Sequence, residues 1–155
     1  MYSISIIPFE DSLAADFSRL NKAWLEKYFE VEPVDEDMLA NPRKYYIDKG
    51  GYIFLAALSP QNLIVGTYAL IRTSPDGFEL SKMAVDERYQ GQKIGGLLLD
   101  HAIETARAAG ATIITLYSHS KLQSAIHLYR KAGFREIPVG DSIYKRSDIK
   151  MEKIL

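Results

Sequence analysis

The sequence predicts a mixed α/β (α+β) fold, and three observations carry that prediction. Three strand-like segments, residues 52–58, 63–73 and 78–85, follow one another with turn chemistry between them, which reads as consecutive antiparallel strands. From Ile94 the apolar spacing turns helical and then gives way to a near-continuous, β-branched apolar run at 111–117, so strand, helix and buried strand form a βαβ unit. At 155 residues, 47% hydrophobic and 25% charged, the chain is sized for one core and a single domain over 1–155. The same composition excludes a wholly disordered or collagen-like chain.

Taken in order, residues 2–7 alternate enough to form a strand, and Pro8 ends it. Asp11 or Ser12 caps a helix whose apolar residues Leu13, Phe17, Leu20, Trp24 and Tyr28 share one face. Residues 30–37 are acidic, with Pro33 interrupting them, and a shorter helical stretch around 38–47, broken by Pro42, leads to Gly50-Gly51. Ser59-Pro60-Gln61-Asn62 and Ser74-Pro75-Asp76-Gly77 turn the chain between the three central strands. Ile94, Leu97, Leu98, Ala102, Thr105, Ala106 and Ala109 hold helical spacing, and Gly110 stops the helix. The run 111–117 is expected to be covered on both faces. Leu122, Ala125, Ile126, Tyr129 and Ala132 form the last helix, closed by Gly133, and 134–137 and 142–149 supply the final strands.

Several function classes fall away on composition. The longest apolar stretch, 52–58, is far short of the ~20 residues that span a bilayer. The first Lys or Arg is Arg19, so the start lacks the basic region of a signal or transit peptide, and a cytoplasmic location is expected. Without cysteine there is no disulfide, no thiolate metal site and no cysteine acyl-enzyme. No His, Asp or Glu spacing suggests a metal site, so none is expected. Residues 1–80 carry 7 basic and 12 acidic side chains, and 81–155 carry 12 and 8. The second half therefore suits an anion, though chance over solvated surface explains the split as well. No basic excess points to nucleic acid.

The segment richest in chemistry is Met83-Ala84-Val85-Asp86-Glu87-Arg88-Tyr89-Gln90-Gly91-Gln92-Lys93-Ile94-Gly95-Gly96, a strand delivered through a glycine-bearing turn into a helix. Free N–H groups and the positive helix end converge there, an arrangement suited to phosphate. Two nucleotide motifs fail on spacing. A P-loop needs four residues between its glycines and then Lys-Ser/Thr, whereas Gly91 and Gly95 enclose three. A dinucleotide fingerprint needs an acid about 20 residues on, and the stretch near Tyr117 has none.

The segment resembles the acetyl-CoA signature of the GNAT N-acetyltransferase superfamily, [Arg or Gln]-x-x-Gly-x-[Gly or Ala], with Gln90 and Gly95 at its ends. The buried strand and the helix ending Leu128-Tyr129-Arg130-Lys131-Ala132-Gly133-Phe134 extend the likeness to the family's Leu-Tyr-x-x-x-Gly-Phe segment. The resemblance implies a mostly antiparallel mixed sheet with helices on both faces and a β-α-β acetyl-CoA-binding unit. It further implies acetyl-CoA as the acyl donor, with pantetheine along Met83, Ala84 and Val85 as an added strand, and pyrophosphate on the amides of Gly91, Gln92, Lys93, Ile94, Gly95 and Gly96. Lys93 stands where the pattern has its middle glycine. Its side chain either crowds the pyrophosphate or swings outward and adds a charge contact, and the second is expected. Leu122 stands where many relatives carry a cofactor-touching Asn.

With no cysteine to carry the acyl group, direct transfer to an amine in a ternary complex is expected, and no nucleophile-elbow motif supports a serine intermediate. An amine of pKa ~10.4 is deprotonated at pH 7 only at roughly 4.6 kcal/mol, so a base must take its proton. An acid that protonates the departing thiolate helps the second half of the reaction. The resemblance assigns Tyr129 as that acid, whereas periodicity alone reads it as a core tyrosine. Glu79 matches the base of the family's histone-acetylating branch, or else is a solvated strand carboxylate. His119, just past the buried strand, is a rival base or an ordinary loop histidine. His127 is expected to face solvent, and His101 has no evident partner. Trp24, Tyr28, Phe29, Tyr45 and Tyr46 are candidates for an acceptor pocket, with packing the better reading for Trp24 and Tyr28. The nearby acidic run suits a cationic amine, either a small molecule or a peptide. The expected protein works as a monomer or homodimer without nucleic acid or membrane. A competing class is a catalytically silent acyl-CoA-binding module, against which the retention of Tyr129 and Glu79 argues. Another acetylates a protein N-terminus or lysine.

Overall fold

The computed structural model describes residues 3–140 and 145–155. The expected strand start at Tyr2, and the 142–144 part of the strand expected over 142–149, lie outside them. In chain order the elements are β1 (Ser3–Pro8), α1 (Ala14–Tyr28), α2 (Pro33–Ala40), β2 (Tyr52–Ser59), β3 (Leu63–Ser74), β4 (Gly77–Val85), α3 (Ile94–Ala108), β5 (Ile113–Ser118), α4 (Gln123–Lys131), β6 (Arg135–Ile137) and β7 (Ile149–Ile154). They build one seven-stranded sheet in the order β1-β2-β3-β4-β5-β7-β6. Every pairing is antiparallel except β4 with β5, the pair joined through α3.

The sheet is covered on both faces because its strands alternate between two apolar sets. One set, including Leu70, Phe78, Leu80, Ile114, Leu116 and Met151, packs on Leu98, Ala102, Ile103 and Ile126 of α3 and α4. The other, including Ile53, Leu55 and Ala69, packs on Phe17, Leu20, Met38 and Leu39 of α1 and α2. None of the helices among the described residues is long and apolar enough to cross a membrane.

Three details differ from the sequence-based expectation. The second helix starts at Pro33, within the acidic run, and not around 38 as expected, because the proline's missing N–H falls at a first-turn position that needs no partner. A capping box fixes the start: the Glu32 carboxylate accepts from the third helical residue, and Asp35 accepts from the Glu32 N–H at 3.0 Å. The helix ends at Ala40, and the chain then makes a short π-helical turn, Arg43–Ile47. Second, β5 is fully buried on one face only: Ile114, Leu116 and Ser118 are buried, while Ile113, Thr115 and Tyr117 are half-buried. The open side of this strand borders the cleft described below. Third, the last strand begins at Ile149, where the expected one ends, because pairing with β5 buries Ile149 and Met151.

Two irregularities of β4 make room for a site. Its register against β3 changes between Ala84 opposite Thr67 and Ser81 opposite Ala69, so β4 holds one extra residue there. Lys82 takes that bulge with φ +53°. The bulge shifts the side-chain phase, so Phe78 and Leu80 join the α3–α4 core while Ala84 joins the α1–α2 core. The parallel pairing of β4 with β5 covers Gly77 to Leu80 against Ile113 to Leu116 and no more. Beyond it the two strands part, leaving 81–85 of β4 and 117–118 of β5 unpaired with each other across an opening in the sheet.

Candidate active site

Two cavities meet in that opening. The first is lined by Asn21, Trp24, Leu25 and Phe29 from the α1 side, by residues 79–83 of β4, by 116–119, and by Leu122, Ala125, Tyr129 and Arg146. The second runs along Met83, Ala84 and Val85 to Gln90, Ile94 and Gly95, with residues 121–125, Leu128 and Tyr129 opposite. Trp24, Met83, Leu122, Ala125 and Tyr129 line both. Tyr129 therefore stands where a ligand in one cavity would touch a ligand in the other.

Of the residues singled out in the sequence, Met83, Ala84, Val85, Gln90, Ile94 and Gly95 wall the second cavity. Gly91, Gln92, Lys93 and Gly96 lie on the same loop and helix start but do not line it. The loop owes its shape to two left-handed residues, Gly91 at φ +84° and Lys93 at φ +64°. Lys93 keeps the backbone conformation that glycine adopts most readily, and its side chain is exposed and takes no part in the cavity wall. Gly95 has no packing reason to lack a side chain: a Cβ there meets only Leu128 Cδ2, at 3.7 Å. What the bare backbone leaves open is close approach by a ligand to the first turn of α3.

Glu79 is half-buried in the first cavity, and burial pushes its carboxyl up to about 7, a rise tempered by Lys82 and Lys150. Burial pushes the Tyr129 phenol up to about 12, so it keeps its proton throughout the physiological range. Glu79 reaches the opening from the α1–α2 face, and Tyr129 from α4 on the other face. The separation of the strands is what lets them share one space.

His119 accepts a hydrogen bond at Nδ1 from the Lys121 N–H (3.0 Å), while its Nε2 lies 3.7 Å from Asp148. With the Nδ1 lone pair engaged, the neutral ring carries its proton on Nε2, facing a carboxylate. His127 is exposed, as expected. His101 does have a partner, the Tyr68 hydroxyl at 2.7 Å, on the α3 side of the sheet away from the cleft. Tyr46 is fully buried in the α1–α2 core, and Tyr45 bonds Asp37, so neither lines the cavities.

One feature of the wall joins residues far apart in the chain. Asp35, fully buried, bonds Lys82 at 2.8 Å and Arg146 at 2.8 and 3.0 Å, and Glu32 bonds Arg146 at 2.8 Å and the Lys145 N–H at 3.1 Å. Burial alone would raise the Asp35 carboxyl, but Arg146 and Lys82 hold it below its ordinary value. Removing one member of such a network strands a buried charge, at a cost of about 3–5 kcal/mol. The network also anchors the bulge at Lys82. It occupies two acids of the 30–37 run, and Glu36 pairs with Lys22 at 3.4 Å. These carboxylates are thus matched within the protein instead of being held out to a cationic acceptor. Across the mouth, Lys121 bonds the Tyr28 carbonyl and lies 4.0 Å over the Phe29 ring, tying the start of α4 to the end of α1.

Comparison with known proteins bears on this arrangement. A family profile described as the acetyltransferase (GNAT) family matches residues 16–134. The chain is similar to an acetyltransferase of GNAT family from Staphylococcus aureus Mu50, with 29% identity, a TM-score of 0.89, and 99% of each chain covered. It is 28% identical over 112 residues to the [ribosomal protein bS18]-alanine N-acetyltransferase of Escherichia coli K12, covering 72% of this chain and 76% of that one. An acetyltransferase from Salmonella typhimurium, solved with its cofactor acetyl-CoA, shares the fold at TM-score 0.74 and 20% identity, over 99% of this chain and 94% of the other.

Proposed function

Since the chain belongs to the GNAT acetyltransferase family and is an acetyl-CoA-dependent N-acetyltransferase, we propose that residues 1–155 form one catalytic domain that passes the acetyl group directly to an amine in a ternary complex. Acetyl-CoA takes the second cavity, with pantetheine beside Met83, Ala84 and Val85 and the pyrophosphate at the turn from Gln90 to Gly96. The amine takes the first cavity. The observation that carries this reading is that the two cavities adjoin at Tyr129, with Glu79 in the wall of the acceptor side.

In this scheme Glu79, directly or through a water, takes the proton of the ammonium form of the acceptor. The nitrogen lone pair then attacks the thioester carbonyl. As the C–N bond is completed the C–S bond breaks, its electron pair passes to sulfur, and Tyr129 supplies the proton that makes CoA a neutral thiol. The second proton that nitrogen sheds as it becomes an amide, passed directly or through water, restores the Tyr129 phenol, and Glu79 returns its own proton to solvent. A base near pH 7 and an acid that stays protonated suit these two tasks. His119 suits the first less well, because its Nδ1 lone pair is already engaged.

A second reading has its own support: the Escherichia coli relative acts on an alanine of ribosomal protein bS18, so a protein or peptide N-terminus belongs among the acceptors tested. A panel of n-butylamine, spermidine, an aminoglycoside, an alanine-terminated peptide and a peptide with an internal lysine, assayed for CoA release and for the acetylated product, tests the proposal. Acetylation of at least one amine, lost in Glu79→Gln and Tyr129→Phe, is expected. CoA binding without turnover of any would favour a silent acyl-CoA-binding module.

A further inference from the structure

We infer that Asn21 is an acceptor-binding residue whose side-chain oxygen takes a hydrogen bond from the attacking amine, fixing the direction of its lone pair and favouring nitrogen over hydroxyl nucleophiles. The inference rests on the first cavity being the acceptor site. Asn21 lies in the interior of α1, on the face whose other buried members are Phe17, Leu20 and Leu25, and it is itself 3% exposed. A buried amide in an apolar helical stripe costs both helix propensity and desolvation, so its presence calls for a use.

The geometry supplies one. Nδ2 donates to the Phe17 carbonyl at 2.9 Å, one turn back along the helix. That bond decides which end of the amide is which: nitrogen is committed to the helix, and Oδ1 remains the accepting end. Of the residues that α1 gives to the cavity wall, Asn21, Trp24 and Leu25, Asn21 has the one side-chain acceptor. Glu79 adds a carboxylate to the same cavity wall, from β4.

An ammonium that has given one proton to Glu79 keeps N–H groups to donate, and holding one on Oδ1 aims the lone pair at the thioester. A hydroxyl nucleophile has a single proton, which the base takes, so Oδ1 would be left without its bond. That asymmetry discriminates against it.

The test is Asn21→Leu, assayed with the panel amine that the wild type acetylates fastest. Leucine restores an apolar stripe and a good helix former, so the melting temperature should be unchanged or higher, and the shift caused by CoA should be unchanged. The kcat/KM for the amine should fall about 10- to 100-fold, the effect of losing one hydrogen bond in a desolvated site, while KM for acetyl-CoA stays put. Should leucine lower the melting temperature, Asn21→Ala, which removes the amide without adding volume, is read in its place. A kcat/KM within twofold of wild type, alongside a Glu79→Gln variant that has lost its activity, would overturn the role of Asn21 and leave the site intact. If neither variant changes turnover, or the wild type acetylates no amine of the panel, the assignment of the cavity itself falls and this inference with it.

Discussion

Replacing Glu79 by Gln should move stability and activity in opposite directions, and both effects follow from one carboxyl. Its ordinary value of 4.5 rises to about 7 in the folded chain, chiefly through burial. A carboxyl raised on folding favours the native state below its unfolded value, and that contribution is lost as pH climbs through the folded one. At roughly 1.4 kcal/mol per pH unit, the rise corresponds to a penalty of about 3 kcal/mol at pH 8, and of less than about 1 kcal/mol at pH 5. Glutamine, equally polar and never charged, escapes the penalty. Thermal melts of wild type and Glu79→Gln from pH 5 to 8.5, without ligand, should therefore diverge. The variant gains little at pH 5 and about 6–12 °C at pH 8, at the 2–4 °C per kcal/mol typical of this chain length. Over the same range the wild-type rate should rise along a limb centred near 7, and the variant should lose both the limb and most of kcat. A melting difference that is flat across pH, or a variant less stable at pH 8, would refute the buried-carboxyl argument. An unaltered rate profile would remove Glu79 as the base.

Tyr129→Phe keeps the ring that packs 6.0 Å from Phe134, so the melting temperature should hold within a few degrees while kcat falls roughly 10²-fold; an unchanged rate with chemistry rate-limiting would make the phenol a packing group. With its pKa near 12, wild type should show no descending limb from this group below about pH 10. Gly95→Glu meets only Leu128 on the protein side and places an acid in the first turn of α3, so the fold should be as stable or slightly more so. The variant should nevertheless lose the stabilisation by CoA, worth about 2.7 kcal/mol in the wild type at 100 times Kd; a retained melting shift would move the phosphate site elsewhere. Lys93→Gly relieves a left-handed lysine and should not destabilise the chain, while weakening CoA binding most at low salt if the exposed ammonium reaches a phosphate. Tighter binding would mean that the side chain obstructs the loop.

The parts of the site that are legible in the sequence are those built from contiguous residues. The glycine turn into α3, the Tyr129 stripe and the third strand carrying Glu79 can be placed because spacing and local chemistry decide them. The ion network is not legible, since Glu32 and Arg146 are 114 residues apart and only the closed sheet brings them together. The bulge at Lys82 is equally hidden: a lysine at φ +53° gives no local signal, unlike a glycine, and its pairing with Asp35 becomes visible only once β4 and α2 are packed. The early start of α2 at Pro33 is missed because a proline inside an acidic run reads as an interruption, although a first helical turn tolerates it; the acids at 32 and 35 that form the capping box are the available clue. Asn21 left a fainter one, as a polar residue one helical turn from Phe17 on an otherwise apolar stripe.

Direct transfer between two adjoining cavities is read from initial rates measured while acetyl-CoA and the amine are varied together. A ternary complex predicts double-reciprocal lines that intersect, and a protein mass unchanged after incubation with acetyl-CoA alone. Parallel lines, together with an enzyme 42 Da heavier, as one acetyl group requires and as covalent catalysis would produce, would contradict it.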